Sequence, residues 1–366
     1  MKKGSNDRLL YFPAWAQENK NSLRYSSTCL VNAVYPPSPK KLDILKGKRV
    51  FCDSGGRRIL RELKAGNTVA FGPKLRTNPK DPHTFTLGVE QHCRFYSQFE
   101  SPLAMSIDFP AETGDSDHLY NWKLAQSCAA RDHFLTLAPN LCPNVELVIA
   151  LQPRGPRELE QYFRQIYTPA VTTYAWPAKY RNSTKYALGN AYVLSYLHWA
   201  GIRHVHFLGS SSPAVIFILS WALALGLFER LSFDSLSWNT RVYDKPRFLQ
   251  PENLSLTSEP LDPQADLRTE LNTHPGLDQS AIKQFISPEE ERVIAKDWVG
   301  ILNVLAIERF KNEVLENALA NDLFRFLTEF RKRGYQNGKL VDALHLLEDA
   351  REHGHKYVKQ KYFSRL

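Results

Sequence analysis

Six times along the chain, a short and almost wholly apolar run stops at a polar residue or a turn, and a loop or helix-like segment follows. The runs are 48–52 before Asp53, 103–107 before Asp108, 145–151 before Gln152, 170–174 before Trp176-Pro177, 204–208 before Gly209, and 231–233 before Asp234. Between them, 157–167, 185–200 and 214–226 carry apolar residues at the three- and four-residue spacing of helices. Strands that are apolar on both faces have to be covered on both faces, which is the condition of a parallel sheet flanked by helices. Such a sheet can stay open and doubly wound or close into a barrel, and either form gathers ligands at the C-terminal ends of its strands. Polar residues stand at those ends so consistently that the expectation is a (β/α)8, TIM-type barrel, with six of its eight strands placed.

The barrel core and its active site are expected within 1–241. From 242 to 286 the chain turns to Pro, Asn, Ser, Thr and acidic residues with little periodicity, and reads as an irregular insertion over the barrel. Ser287-Pro288-Glu289-Glu290 then has the chemistry of a helix start. A helical tail, broken at Gly334 and again at Asn337-Gly338, is expected to complete the barrel over 287–366.

The formal net charge of +9 suits a polyanionic partner, most often a nucleic acid, and equally a solvated basic surface. No apolar run approaches the roughly 18 residues of a membrane span. The basic start, Met1-Lys2-Lys3, leads into no apolar stretch and so does not read as a signal peptide. Five cysteines without a Cys-x-x-Cys pair suit reduced thiols and a cytoplasmic setting. His92-Cys93 reads as an ordinary surface pair, and the clusters around Lys40-Lys41, Arg57-Arg58 and Arg331-Lys332-Arg333 as solvated faces. His204 and His206 alternate on a strand and read as strand positions, not as ligands. Trp199 and Trp221 read as packing. The serines at 210–212 are either a phosphate or base loop or a plain turn.

Taken singly, Asp53-Ser54-Gly55-Gly56 is a strand-terminating turn and Asp108 a cap. Together with Asp234 they place three carboxylates at one barrel mouth, where like charges repel and serve no packing purpose. Glycosyl chemistry needs two such groups, one to attack an anomeric carbon and one to manage protons.

These residues resemble the tRNA-guanine transglycosylases and their DNA-modifying relatives. The likeness runs through Asp53-Ser54-Gly55-Gly56, Asp108 and Ala150-Leu151-Gln152. It is strongest in His206-Phe207-Leu208-Gly209 followed one helix later by Ser232-Phe233-Asp234. Pro246-Arg247-Phe248, Asn303-Val304-Leu305 opening a helix, and Tyr362-Phe363 are similar too, so the likeness spans most of 40–365. It implies that Asp234 is the nucleophile that expels guanine and forms a covalent glycosyl-enzyme, and that Asp53 is the general acid/base toward the incoming base. It also implies that Asp108 reads the guanine-like edge, with Ser54, Gln152 and the Gly209 amide adding hydrogen bonds. Arg57 stands where the tRNA enzymes stack an aromatic residue on the base, and a guanidinium can stack there as well.

No cysteine follows Cys142, and Leu302 stands about where that family's zinc-binding histidine would be. The structural zinc is therefore expected to be missing, with no cofactor in its place. Trp176-Pro177-Ala178 replaces the family's glycine-rich loop. The loss of the zinc brace looks more like the DNA branch. The resemblance then implies exchange of guanine in DNA for a free 7-deazaguanine base such as 7-cyano-7-deazaguanine, with a helper protein or a homodimer as the partner arrangements left open. The alternatives are a tRNA enzyme of queuosine or archaeosine type, a barrel glycoside hydrolase, and a non-catalytic subunit that binds nucleic acid.

Overall fold

The computed structural model describes residues 7–15, 23, 25–72, 76–77, 84–177, 186–235, 247–257, 261–262, 264–273, 286–289, 292–293, 295–335 and 338–366. Its strands in chain order are β1 (Leu9–Pro13), β2 (Thr28–Asn32), β3 (Arg49–Asp53), β4 (Thr68–Gly72), β5 (Arg76–Thr77), β6 (Thr84–Gly88), β7 (Leu103–Met105), β8 (Glu146–Ala150), β9 (Thr173–Pro177), β10 (His204–Leu208) and β11 (Arg230–Ser235). Eight of them form one sheet in the order β1-β11-β10-β9-β8-β7-β3-β2, and every neighbouring pair is parallel. The two edges of this sheet approach each other. The Ala14–Leu30 bridge, the Trp15 amide on the Leu30 carbonyl at 2.7 Å and the Thr28 hydroxyl on the Tyr11 carbonyl join them. The result is a nearly closed barrel of the TIM type.

Alternation along each strand divides the core into two layers. Leu10, Phe12, Leu30, Phe51, Leu103, Met105, Val148 and Ala175 form one cluster, the barrel filling. Their neighbours Tyr11, Val31, Val50, Cys52, Ile149, Tyr174, Val205, Phe207, Leu231 and Phe233 belong to the larger cluster shared with the helices. Those helices are α1 (Gly56–Lys64), α2 (Val89–Tyr96), α3 (Asp117–Leu141), α4 (Leu159–Ile166), α5 (Ala187–Trp199), α6 (Pro213–Ala224), α7 (Leu267–Thr273), α8 (Ala295–Ala320), α9 (Leu323–Lys332) and α10 (Gly338–Tyr362).

A polar floor lies at the N-terminal end of the barrel. The Glu146 carboxylate accepts from Arg230 Nη2 at 2.5 Å, from the Thr173 hydroxyl and from His204 Nδ1 at 3.5 Å. Burial pushes Glu146 up, but the hydrogen bonds from His204, Thr173 and Arg230, and the charge of Arg230, outweigh it and hold the carboxyl at about 2.

Several expectations need correction. Strands β1 and β2 and the small sheet β4-β6-β5 were not foreseen. The strand expected at 170–174 is Thr173–Pro177, because a turn at Thr168–Val171 uses the preceding residues. Trp176 and Pro177 therefore end the strand and do not begin a loop. The expected insertion is not wholly irregular, since it contains helix α7 and a Leu249–Leu256 bridge. Asn303 does not open a helix but lies within α8, where its side chain bonds the Leu249 amide and the Arg247 carbonyl. His92 and Cys93 are buried in α2, not a surface pair. Trp221 packs on Phe326 as expected, while Trp199 is exposed. Tyr243, Pro246, 274–285, Ala178, Lys185, Glu290 and Asn337 lie outside the described residues.

Candidate active site

Asp53, Asp108 and Asp234 all stand at the C-terminal end of the barrel, where the strand-end reading put them. Asp53 ends β3, Asp108 follows β7 by three residues, and Asp234 lies near the end of β11. Their charges reach one another: burial first, then the charges of Asp108 and Asp234, push Asp53 up to about 7. Hydrogen bonds from the Gly55 amide and Asn32 oppose that shift.

Asn32 is a site residue that sequence reasoning missed. Paired in register with Asp53 across β2 and β3, it donates from Nδ2 to Asp53 Oδ2 at 2.7 Å. Its Oδ1 accepts from the Val34 amide at 2.9 Å and the Tyr35 amide at 3.3 Å, an Asx turn that fixes the side chain.

The two glycines after Asp53-Ser54 have separate tasks. Gly55 has φ 86°, and a Cβ there would stand 2.3 Å from Val34 Cγ2. A Cβ on Gly56 would stand 2.9 Å and 3.0 Å from the Asp108 carboxylate oxygens. The bare backbone at the start of α1 thus makes room for Asp108. Asp108 is buried and accepts from the Ser54 hydroxyl on Oδ1 and from Gln152 Nε2 at 2.7 Å on Oδ2. Ser54 and Gln152, expected to meet a base directly, here orient the carboxylate. Gln152 Oε1 is buried and has no hydrogen-bond partner among the described residues.

The loops carrying these groups are tied to one another. Lys123 and Asp115 form a buried ion pair at 2.7 Å, and Arg154 Nη1 bonds the Asp115 carbonyl and Asp117. The loop after β7, with Asp108, is thereby linked to the loop after β8, with Gln152.

Asp234 Oδ1 accepts from the Gly209 amide at 2.9 Å and faces His206 Nε2 at 2.9 Å. The Gly209 amide, expected to meet the base, is directed at the carboxylate. Gly209 has φ 75°, a conformation that turns the chain sharply after β10. Oδ2 of Asp234 has no hydrogen-bond partner among the described residues, and no lysine or arginine there pairs with Asp53 or Asp234. Arg57 is exposed at the start of α1, with no ion-pair or hydrogen-bond partner among the described residues. Trp176 Nε1 is satisfied by Asn190 Oδ1 at 3.1 Å, behind β9.

The residues present do not fit the zinc that the family resemblance would bring. Leu302 packs in an apolar cluster with Phe248, Leu261, Leu267, Trp298 and Val299, which offers no ligand atom. Among the described residues, no group of three or more His, Cys, Asp or Glu side chains could hold a metal. No helix there is long and apolar enough to cross a membrane.

Compared with protein-family models and with curated proteins, the chain matches none.

If Asp108 contributes to the upward shift of Asp53, Asp108→Asn should let Asp53 titrate closer to an ordinary carboxyl, because one neighbouring negative charge is gone. Carboxyl 13C NMR across pH 4–9 checks this; an unmoved Asp53 midpoint would mean that Asp108 plays no part and that burial and Asp234 set it.

Proposed function

We propose that this chain is a guanine transglycosylase that exchanges guanine in a nucleic acid for a 7-deazaguanine base through a covalent Asp234 intermediate. The observation that carries the reading is a pair of carboxylates at one barrel mouth in different surroundings. Asp234 is held on one oxygen with the other left unbonded, and Asp53 is poised near neutrality. That is the division of labour between a nucleophile and a proton-transfer group.

In the first half-reaction, Asp234 Oδ2 bonds to C1′ of the sugar while the C1′–N9 bond breaks, and guanine leaves with that electron pair and takes the proton of protonated Asp53, which is left as a carboxylate. In the second, Asp53 takes the N9 proton of the incoming deazaguanine. N9 then bonds to C1′, and Asp234 is released as a carboxylate. Asp108 and Gln152 suit a guanine-like edge. The carboxylate accepts from N1–H and the exocyclic amine, and Gln152 Oε1 offers a buried acceptor whose lack of a partner costs about 1–3 kcal/mol until a donor arrives. The target nucleotide has to leave its stack to reach them.

For the polymer we favour DNA. By the resemblance, Leu302, here packed in an apolar cluster with Trp298, falls about where the tRNA enzymes would carry a zinc-binding histidine, and a chain without that brace looks more like the DNA-modifying branch. Arg57, exposed beside the Gly-Gly turn, is suited to stack on the flipped base or to fill the vacated space. The charge of +9 suits either polymer.

The test is incubation of the purified protein with bulk DNA or bulk tRNA and radiolabelled guanine, followed by nucleoside mass spectrometry from expressing cells supplied with a deazaguanine. Label and a deazaguanine deoxynucleoside in DNA support the reading. Modification confined to tRNA would overturn the choice of polymer, and label in neither would overturn the enzyme assignment.

A further inference from the structure

We propose that His206 is the positioning residue of the Asp234 carboxylate and that Ser232 holds it in the Nε2–H tautomer. The inference rests on the reading of Asp234 as nucleophile, but its geometry stands apart from that reading. Along β10, Val205 and Phe207 pack outward against the helices, so His206 points into the barrel. Along β11, Leu231 and Phe233 pack outward, so Ser232 and Asp234 point inward as well. The ladder pairs His206 directly with Ser232, and Asp234 lies two residues further on, on the same face, about 7 Å along the strand. An imidazole between them spans that gap. Nδ1 lies 2.8 Å from Ser232 Oγ and Nε2 lies 2.9 Å from Asp234 Oδ1.

The ring has no other freedom. His206 is 0% exposed. Phe51 stacks on it at 3.9 Å between centroids with 22° between planes, and Phe12 meets it edge-on at 5.9 Å. A carboxylate only accepts, so the proton facing Asp234 has to sit on Nε2. In the neutral ring Nδ1 is then an acceptor, and the Ser232 hydroxyl is the donor that satisfies it.

With the Gly209 amide as second donor, Asp234 Oδ1 is bonded from two directions and the plane of the carboxylate is set. Oδ2 is left as the attacking oxygen. When the glycosyl ester breaks, negative charge returns to Asp234, and the two fixed donors on Oδ1 stabilise it as it forms. Fully buried, His206 is out of reach of a sugar or base, so its effect falls on kcat and not on binding of the polymer.

The experiment uses the full chain with 15N-labelled histidine. Imidazole 15N–1H spectra of the wild type should show His206, assigned by its loss in His206→Gln, as the Nε2–H tautomer. In Ser232→Ala the ring should lose that single-tautomer signature, and in Asp234→Asn the Nε2 shift should move. A wild-type His206 in the Nδ1–H form overturns the proposal whatever the activity. In guanine exchange, His206→Leu should lower kcat by about 10²–10³-fold, the usual cost of one such donor, with KM for the nucleic acid unchanged. His206→Gln, which keeps an N–H donor, should recover at least tenfold of that loss. A His206→Leu enzyme with wild-type kcat, or a loss carried by KM, overturns the proposal. Should the wild type exchange no guanine, the enzyme reading fails by itself, while the tautomer and the Asp234→Asn shift still decide whether His206 positions this carboxylate.

Discussion

Asp234→Asn is expected to lower guanine exchange by about 10⁴-fold or more, the scale on which enzymes lose rate when a covalent nucleophile is removed. The fold and the affinity for nucleic acid should change little. An asparagine is nearly isosteric, and its carbonyl oxygen can still accept from the Gly209 amide and His206 Nε2, so the mouth stays organised. An amide oxygen is too weak a nucleophile to form the glycosyl ester, and no covalent adduct should be trapped on the variant. The check is single-turnover exchange with labelled guanine, alongside a melting curve and a binding isotherm. A rate within tenfold of wild type, about 1.4 kcal/mol of barrier, would refute Asp234 as nucleophile. A collapsed melting curve would instead show that the carboxylate is needed for the fold.

The position of Asp234 was legible for a simple physical reason. A strand buried on both faces has to be apolar along its length, so a carboxylate at its C-terminal end stands out against that run, and the same holds for Asp53 and Asp108. The environment of each acid was not legible. Asn32 reaches Asp53 only because β2 pairs with β3 in the register Asn32–Asp53, and β2 itself was invisible. Strands β1 and β2 are five residues each and β1 ends in a proline, so neither run stands out by its length. Without them the sheet has six strands, and closure into a barrel was an inference from the polar ends alone.

His206 shows a different limit. Alternation placed it correctly on a strand, but alternation cannot say whether an inward polar side chain meets the floor or the mouth. His204, two residues earlier, serves the floor with Glu146 and Arg230, while His206 serves Asp234. Only the pairing of β10 with β11 separates the two roles. The requirement at Gly56 was hidden in the same way. It arises from the approach of Asp108, a residue 52 positions away by number, and no local pattern carries it. The apolar cluster of Phe248, Leu267, Trp298 and Leu302 was readable only as missing ligands, since its members come from three separate stretches of chain.

Asp53→Asn is expected to reduce exchange by about 10²–10⁴-fold, the range of a general acid/base, and to change how both rate and stability depend on pH. In the wild type, burial and the charges of Asp108 and Asp234 push Asp53 up to about 7, so near neutrality both protonation states are populated. The second half-reaction needs the carboxylate form to take the N9 proton, so the wild-type rate of base incorporation should rise with pH through about 7 and then level off. The variant should lose that inflection. Stability runs the other way. The folded-state value lies above the ordinary 3.8 of an aspartate, so the folded protein holds this proton more tightly than the unfolded chain does. The contribution is fully present below about pH 4 and is lost as pH rises through about 7. An asparagine carries no such penalty at alkaline pH. Asp53→Asn should therefore melt higher than wild type at pH 8, by several degrees at about 2–4 °C per kcal/mol, with the gap closing toward pH 5. Loss of the Nδ2 donor bond from Asn32 is not at stake, because the new amide oxygen can still accept it. Melting curves at pH 5, 6, 7 and 8 and pre-steady-state incorporation rates over the same range check both halves. An Asp53→Asn protein that keeps the wild-type pH inflection would show that another group carries the proton.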